Sequence, residues 1–205
     1  MVHAIADETV VIAPNVMGKV IAIIALVALA AAFWTWRQYF QVYHLATVQD
    51  GALYRDGVRS LREFATDVRR VRPRTVVSLV DDHEVAQPPF VDELAYCKAN
   101  GIDVVRIPVQ LGGWPTGQQI EQFLAVVADA SRRPVLVHCA QGVRRTGMMA
   151  AAYQESVMGF DRQRTKDAML NFGHSQRTVG DVQRFIDLYD PAARRMTEQP
   201  ALSSE

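Results

Sequence analysis

The segment Pro134–Gly147, PVLVHCAQGVRRTG, holds the residues best suited to chemistry. Cys139 ends an apolar, β-branched run, Gly142 follows in a short loop, and Arg145 and Thr146 stand where a helical pattern begins. A chain that turns from a buried strand into a helix points successive backbone N–H groups inward, and the helix N-terminus adds the positive end of its dipole. Such a loop is an anion cradle about the size of a phosphate. Arg145 can add a planar guanidinium fork for two phosphate oxygens. Cys139, among those donors, is expected to be a thiolate at neutral pH. A thiolate facing a bound phosphoryl group implies nucleophilic attack, a phosphocysteine, and later hydrolysis by water. Thr146 can hydrogen-bond the sulfur and help it leave, and His138 reads as a structural orienter of the loop more than as a base. Singly, each residue has an ordinary reading: packing for the cysteine, surface charge for the arginine, a satisfied core group for the histidine. Their joint order between a strand and a helix favours the functional one.

The elements that must hold this loop are also visible. Ala52–Arg55 is strand-like, and the following SLREFATDVRRV places Leu61, Phe64, Ala65, Val68 and Val71 at helical spacing, closed by Pro73. Thr75–Val80 reads as a buried strand ending in Asp81 and Asp82. A helix near Val91–Asn100 stops at Gly101, a strand follows over Ile102–Val109, and a Gly/Pro loop spans Gly112–Gly117. Then come a helix over Gln118–Ala130, the strand Val135–Val137, and helices over roughly Arg145–Met158, Arg162–Phe172 and Val179–Leu188. Alternating strands and helices call for an α/β fold, a mostly parallel central sheet flanked by helices on both faces. Cys97, on an amphipathic helix with no basic neighbour in a glycine loop, reads as core.

Val20–Trp34 holds no charged or polar side chain and widens to Val16–Trp36. At ~1.5 Å per residue the wider run reaches roughly 30 Å, the hydrocarbon thickness of a bilayer. Lys19 at one end, and Trp34, Trp36, Tyr39, Phe40 and Tyr43 at the other, suit the two interfaces. A buried core helix is disfavoured because no polar stripe exists. A cleaved signal peptide is the other alternative, since Ala28-Leu29-Ala30 has a cleavage-like form. The expected organisation is a tail over 1–15, a transmembrane helix over 16–36, a juxtamembrane linker over 37–49, a catalytic domain over 50–190 and a loose tail over 191–205. Arg37, Arg55 and Arg59 follow the span against Lys19 before it, which favours a cytoplasmic domain.

The 205 residues carry 22 Lys+Arg and 22 Asp+Glu, which argues against a nucleic-acid partner held by a broad electrostatic surface. Residues 1–36 hold one base and two acids, so the remainder keeps 21 bases against 20 acids. With two cysteines, Cys97 and Cys139, a four-cysteine zinc site and a CxxC dithiol are both excluded, and a reducing compartment fits.

HCAQGVRRTG resembles the HCxxGxxRTG phosphate-binding loop of the cysteine-dependent protein tyrosine phosphatase superfamily. The ALYR start, the TVVSLVDDHE strand and turn, the GIDVVRIPV strand and the helix before PVLVHC make the resemblance one to the compact atypical dual-specificity branch, over about residues 45–190. It implies Cys139 as nucleophile, Arg145 as phosphate clamp, Thr146 assisting, backbone donors from Ala140, Gln141, Gly142, Val143 and Arg144, and no metal or other cofactor. It also implies as substrate a phosphorylated protein or, alternatively, a phospholipid or inositol phosphate. Members of this superfamily usually supply a general-acid aspartate from the loop corresponding to Gln110–Gly117, QLGGWPTG, which here contains no carboxylate; Thr116 stands where the aspartate is expected. The acid then comes from Asp81 or Asp82, at the end of a neighbouring parallel strand, or the leaving group needs none. Arg144, and Arg162, Arg164 and Lys166 on a later helix, either add positive potential for a polyanion or are a solvated face. A catalytically silent phosphate-binding module and a sulfurtransferase are the competing classes.

Overall fold

The structure, a computed structural model, describes residues 14–42, 45–170 and 176–197. The ends of both expected tails, residues 1–13 and 198–205, and the end of the helix expected up to Phe172, lie outside the described residues. The chain divides into two units, Met1–Tyr39 and Phe40–Glu205.

In the first unit, helix α1 (Pro14–Val42) continues past Trp36 into the segment read as a linker. Within it Val16–Trp36 has a mean hydropathy of 2.5 and none of it is buried. By length and composition it can cross a bilayer, a property it shares with signal sequences.

The second unit is built on a mixed sheet. Its strands are β1 (Ala46–Gln49), β2 (Leu53–Gly57), β3 (Thr75–Ser78), β4 (Asp103–Arg106) and β5 (Val135–Cys139), in the order β1-β2-β5-β3-β4. β1 is antiparallel to β2, and the other pairs are parallel. β1 lies in the expected linker: ATVQ is half exposed with its two faces alternating, and pairing with β2 supplies what its composition does not advertise. The strand expected over Ile102–Val109 is regular from Asp103 to Arg106, and beyond it the Ile107 and Val109 N–H groups still bond the carbonyls of Ser78 and Leu79.

Helices α2 (Leu61–Val71), α3 (Phe90–Ala99), α4 (Gly117–Ala128), α5 (Arg144–Ser156), α6 (Arg162–Leu170) and α7 (Gln176–Leu188) flank the sheet. Ser60 caps α2 by accepting the Glu63 N–H, and Arg72, in the left-handed region at φ 52°, ends it. A short β-hairpin, Tyr189–Asp190 (β6) with Arg195–Met196 (β7), follows α7, its second strand lying in what reads from the sequence as a loose tail.

Period-two alternation sorts the strands into two cores. Val77, Val135, Val137 and Cys139 face α4, α5 and α7, where Phe123, Met148, Phe185 and Ile186 close the layer. Val76 and Leu136 face α2 and α3, against Phe64, Val68 and Cys97. Burying a side chain such as Phe64 fully is worth ~1.5–3 kcal/mol. The C-terminal ends of β2, β5 and β3 meet at one edge, with Gly57 beside Cys139 and Ser78 beside His138.

Candidate active site

Cys139 is the last residue of β5 and α5 begins at Arg144, so residues 140–143 are the whole connection. Gly142 takes φ +72°, a conformation few residues tolerate. No side chain caps α5, which leaves the first-turn N–H groups pointing into the loop. Burial of the Cys139 sulfur would raise its pKa, but Arg145, the Thr146 hydroxyl and N–H, and the Gly142 N–H outweigh it and hold the thiol below its ordinary value. The Thr146 hydroxyl is buried without an oxygen or nitrogen partner, which leaves it to the sulfur.

Arg145 is held from behind. Its Nη1 donates to Glu84 Oε2 at 2.6 Å and its Nη2 to Glu84 Oε1 at 3.2 Å, and Nη1 also lies 3.4 Å from the Leu79 carbonyl and 3.3 Å from that of Val109. This clamp fixes one edge of the fork and leaves Nε–H and the second Nη2–H as the edge available to an oxyanion. Glu84 was not singled out from the sequence. The acidic run Asp81, Asp82, Glu84 at a strand end was its only local sign.

Asp81 and Asp82 are both committed elsewhere. Asp81 Oδ1 accepts the N–H groups of His83 (2.9 Å) and Glu84 (3.0 Å), and its Oδ2 accepts that of Leu111 (3.0 Å). Burial acts to raise this carboxyl, but these three bonds and Arg145 bring it below the usual carboxylate range. Asp81 therefore ties the Glu84 turn to the 110–113 loop as an ionised acceptor. Asp82 is 73% exposed and pairs with Arg106 at 2.8 Å. In the loop without a carboxylate, Thr116 caps α4: its hydroxyl accepts the Gln119 N–H while Gln119 Oε1 accepts the Thr116 N–H. Trp114 lies edge-on to Phe185 of α7, with ring centroids 5.8 Å apart.

His138 points to the opposite face of the sheet from Cys139, against the ring of Phe64. Its Nε2 is 2.7 Å from Glu93 Oε1 of α3, and both side chains are buried. Burial opposes the imidazolium, but Glu93, then Asp56 and Cys139, raise the His138 pKa above its ordinary value. Its Nδ1 lies 3.3 Å from the Cys139 carbonyl oxygen, so the ring supports the loop and cannot reach the sulfur's side as a base.

β2 completes the cradle from behind. A Cβ on Gly57 would stand 2.4 Å from the Gln141 carbonyl carbon, so strand and loop touch backbone to backbone. Arg55 of β2, 2% exposed, donates from Nη2 to the carbonyl oxygens of Gly142 (2.6 Å) and Val143 (3.3 Å). The sequence shows it as a charged residue inside a strand-like run and as one of the bases after the apolar span, with no sign of its contact to the loop. The other basic residues named from the sequence are engaged: Arg144 with Asp181 at 2.7 Å, Lys166 with Asp187 at 2.6 Å, Arg164 over the Phe160 ring, and Arg162 with the Tyr189 carbonyl. No group of His, Cys, Asp and Glu among the described residues could hold a metal ion.

Comparison with known proteins gives a consistent setting for this geometry. The model of the family described as "DSP-PTPase phosphatase fused to NAD+ Kinase" matches residues 66–194. The chain is 28% identical over 104 residues to the probable NAD kinase 2, chloroplastic, of Oryza sativa subsp. japonica, covering 51% of this chain and 10% of that protein. It is 28% identical over 121 residues to the dual specificity protein phosphatase TpbA of Pseudomonas aeruginosa, covering 59% of this chain and 51% of TpbA. The crystal structure of P. aeruginosa TpbA superposes with a TM-score of 0.56 at 26% identity, over 70% of this chain and 84% of that one. The inositol diphosphatase DSP4 of Arabidopsis thaliana is 26% identical over 145 residues, 69% of each chain. The chain thus spans about a tenth of the length of the plant NAD kinase and about half of TpbA.

Proposed function

We propose, on the premise that the chain belongs to the DSP-PTPase family of cysteine-dependent dual-specificity and tyrosine phosphatases, that it is a membrane-anchored phosphomonoesterase working through a phosphocysteine on Cys139. The observation that carries this reading is the geometry of the loop: Cys139 ends β5, and residues 140–143 lead to the uncapped start of α5, where buried Arg145 is held by Glu84. Arg145, with the Thr146 and Gly142 donors, acts to lower the thiol pKa against its burial. The phosphoryl dianion docks on the amides of residues 140–144 and on the Arg145 fork. The Cys139 sulfur forms a bond to phosphorus as the ester oxygen departs with the bonding pair. Water then attacks phosphorus, releasing phosphate and returning the thiolate, which the Thr146 hydroxyl stabilises as a leaving group.

The ester oxygen has no evident proton donor among the described residues. Asp81 spends its carboxylate on three backbone N–H groups, and Asp82 pairs with Arg106. General-acid help is worth ~100–10,000-fold, more for poor leaving groups. The reading that follows is a preference for aryl over alkyl phosphates, phosphotyrosine in a protein being the natural example. A second reading, an inositol phosphate or phosphoinositide substrate, is favoured by the likeness to DSP4, which covers 69% of both chains. Against it stands the pairing of Arg144 and Lys166 with carboxylates, which leaves little surplus positive charge on those residues for a polyanion. The match to the plant NAD kinase covers too small a part of that protein to bring kinase activity here.

Membrane anchorage by residues 16–36, with the second unit cytoplasmic, rests on the apolar helix, on Arg37, Arg55 and Arg59 after it, and on the two free cysteines. The test is turnover by the full chain in detergent on an aryl phosphate, a phosphotyrosine peptide, a phosphoinositide and an inositol polyphosphate. Cys139→Ser is expected to abolish all of it while phosphate still binds. Undiminished turnover in that variant overturns the mechanism, and faster turnover of the inositol compounds than of the peptide selects the second reading.

A further inference from the structure

We infer that Arg55 is a positioning residue of the phosphate loop: from β2 it grips the carbonyl oxygens of Gly142 and Val143 and so turns the N–H groups of Val143 and Arg144 toward the bound oxyanion. The inference rests on the phosphatase reading of the same loop and adds a residue outside its sequence. A trans peptide is planar, with the C=O of one residue and the N–H of the next pointing in opposite directions. Arg55 Nη2 lies 2.6 Å from the Gly142 oxygen and 3.3 Å from the Val143 oxygen, so both peptide planes are oriented by one guanidinium nitrogen. Their far sides carry the N–H groups that start α5. The Val143 oxygen also accepts the Gly147 N–H at 2.7 Å, so Arg55 acts most strongly on the Gly142 carbonyl, to which it is the closer donor.

The rest of Arg55 is held as firmly. Its Nη1 is 3.6 Å from the Met169 sulfur of α6, and its strand is in register with β5, Arg55 opposite Val137. Gly147, one turn into α5, lies beside it: a Cβ there would be in ordinary contact with Arg55 Nη2 at 3.7 Å and tight against Val182 at 3.2 Å. Burial pushes the Arg55 pKa down to about 10, and the charge of a Cys139 thiolate opposes that fall. A lysine at 55 keeps the charge but lacks the planar guanidinium, whose Nη1 lies against the Met169 sulfur while Nη2 meets the two carbonyls.

The test uses the full chain in detergent with Arg55→Met and Arg55→Lys, measured by three readouts. These are kcat/KM on an aryl phosphate, inhibition by inorganic phosphate, and the pH midpoint of Cys139 alkylation by iodoacetate. Arg55→Met is expected to lower kcat/KM about 100-fold, since a cradle misplaced by about 1 Å costs that much. It is also expected to weaken phosphate inhibition about tenfold and to move the alkylation midpoint to higher pH. Arg55→Lys is expected to restore the alkylation midpoint but not phosphate inhibition. Should Arg55→Met fail to fold, Arg55→Lys decides alone: phosphate inhibition equal to wild type overturns the inference, and weakened inhibition at a wild-type alkylation midpoint supports it. A wild-type chain with no turnover and no protection of Cys139 by phosphate would instead overturn the phosphatase reading itself.

Discussion

Gly57→Ala adds one methyl group to a residue that touches no substrate, and it is expected to disable the site. The new Cβ would stand 2.4 Å from the carbonyl carbon and 2.5 Å from the oxygen of Gln141, and 2.8 Å from the Gly142 nitrogen. Ordinary contact begins at 3.4 Å, so strand and loop must separate by about 1 Å. β2 cannot be the part that yields easily, because it is paired with β5 from Leu53 opposite Val135 to Gly57 opposite Cys139. The loop gives instead, carrying the amides of Gln141 and Gly142 out of place. Overpacking of this kind costs ~1–3 kcal/mol of stability, and a 1 Å misplacement of the cradle costs on the order of 100-fold in rate. The assay is kcat/KM on p-nitrophenyl phosphate with the full chain in detergent, alongside a thermal melt. The control is Gly180→Ala inside α7, where a Cβ meets nothing within 4 Å; it is expected to leave turnover unchanged and to stabilise by about 0.4–1 kcal/mol. If Gly57→Ala keeps kcat/KM within threefold of wild type, the backbone contact between β2 and the loop is not what holds the cradle.

Asp81→Asn separates a structural acceptor from a general acid. At pH 7 it is expected to cost ~1–2 kcal/mol in urea unfolding through a lost charge-assisted bond, while the basic limb of the pH–rate profile keeps its shape; a flattened limb would make Asp81 the proton donor. Because its pKa is lowered on folding, the stabilisation is present above the unfolded value of ~3.9 and is lost as pH falls through the folded value. The stability difference between variant and wild type should therefore shrink in acid. Glu93→Gln removes the charge beside buried His138 and is expected to cost about 2 kcal/mol. The His138 pKa is raised on folding, so that stabilisation is complete below the unfolded value of ~6.5 and fades as pH rises through the folded value. Unfolding measured at pH 5.5 should show a larger loss for Glu93→Gln than at pH 9, and the opposite trend would contradict the ion pair.

The apolar N-terminal helix, the alternating strands and the 139–146 loop are legible in the sequence because each is written in neighbouring residues. Helical and strand periods and a strand-loop-helix motif need only the local chain. Thr116, which stands where the resemblance leads one to expect an aspartate, also has the local form of a cap, with Gln119 three positions on. What tertiary structure decided is which distant side chains meet that loop. Arg55 reaches Gly142 across 87 residues, Glu84 reaches Arg145 across 61, and Glu93 meets His138 through the sheet's other face. β1 becomes a strand only because β2 offers it an edge. Spacing along the chain carries no record of such pairings. They follow from the parallel register that brings the ends of β2, β5 and β3 to one edge, and from the burial that obliges every charge placed there to find a partner.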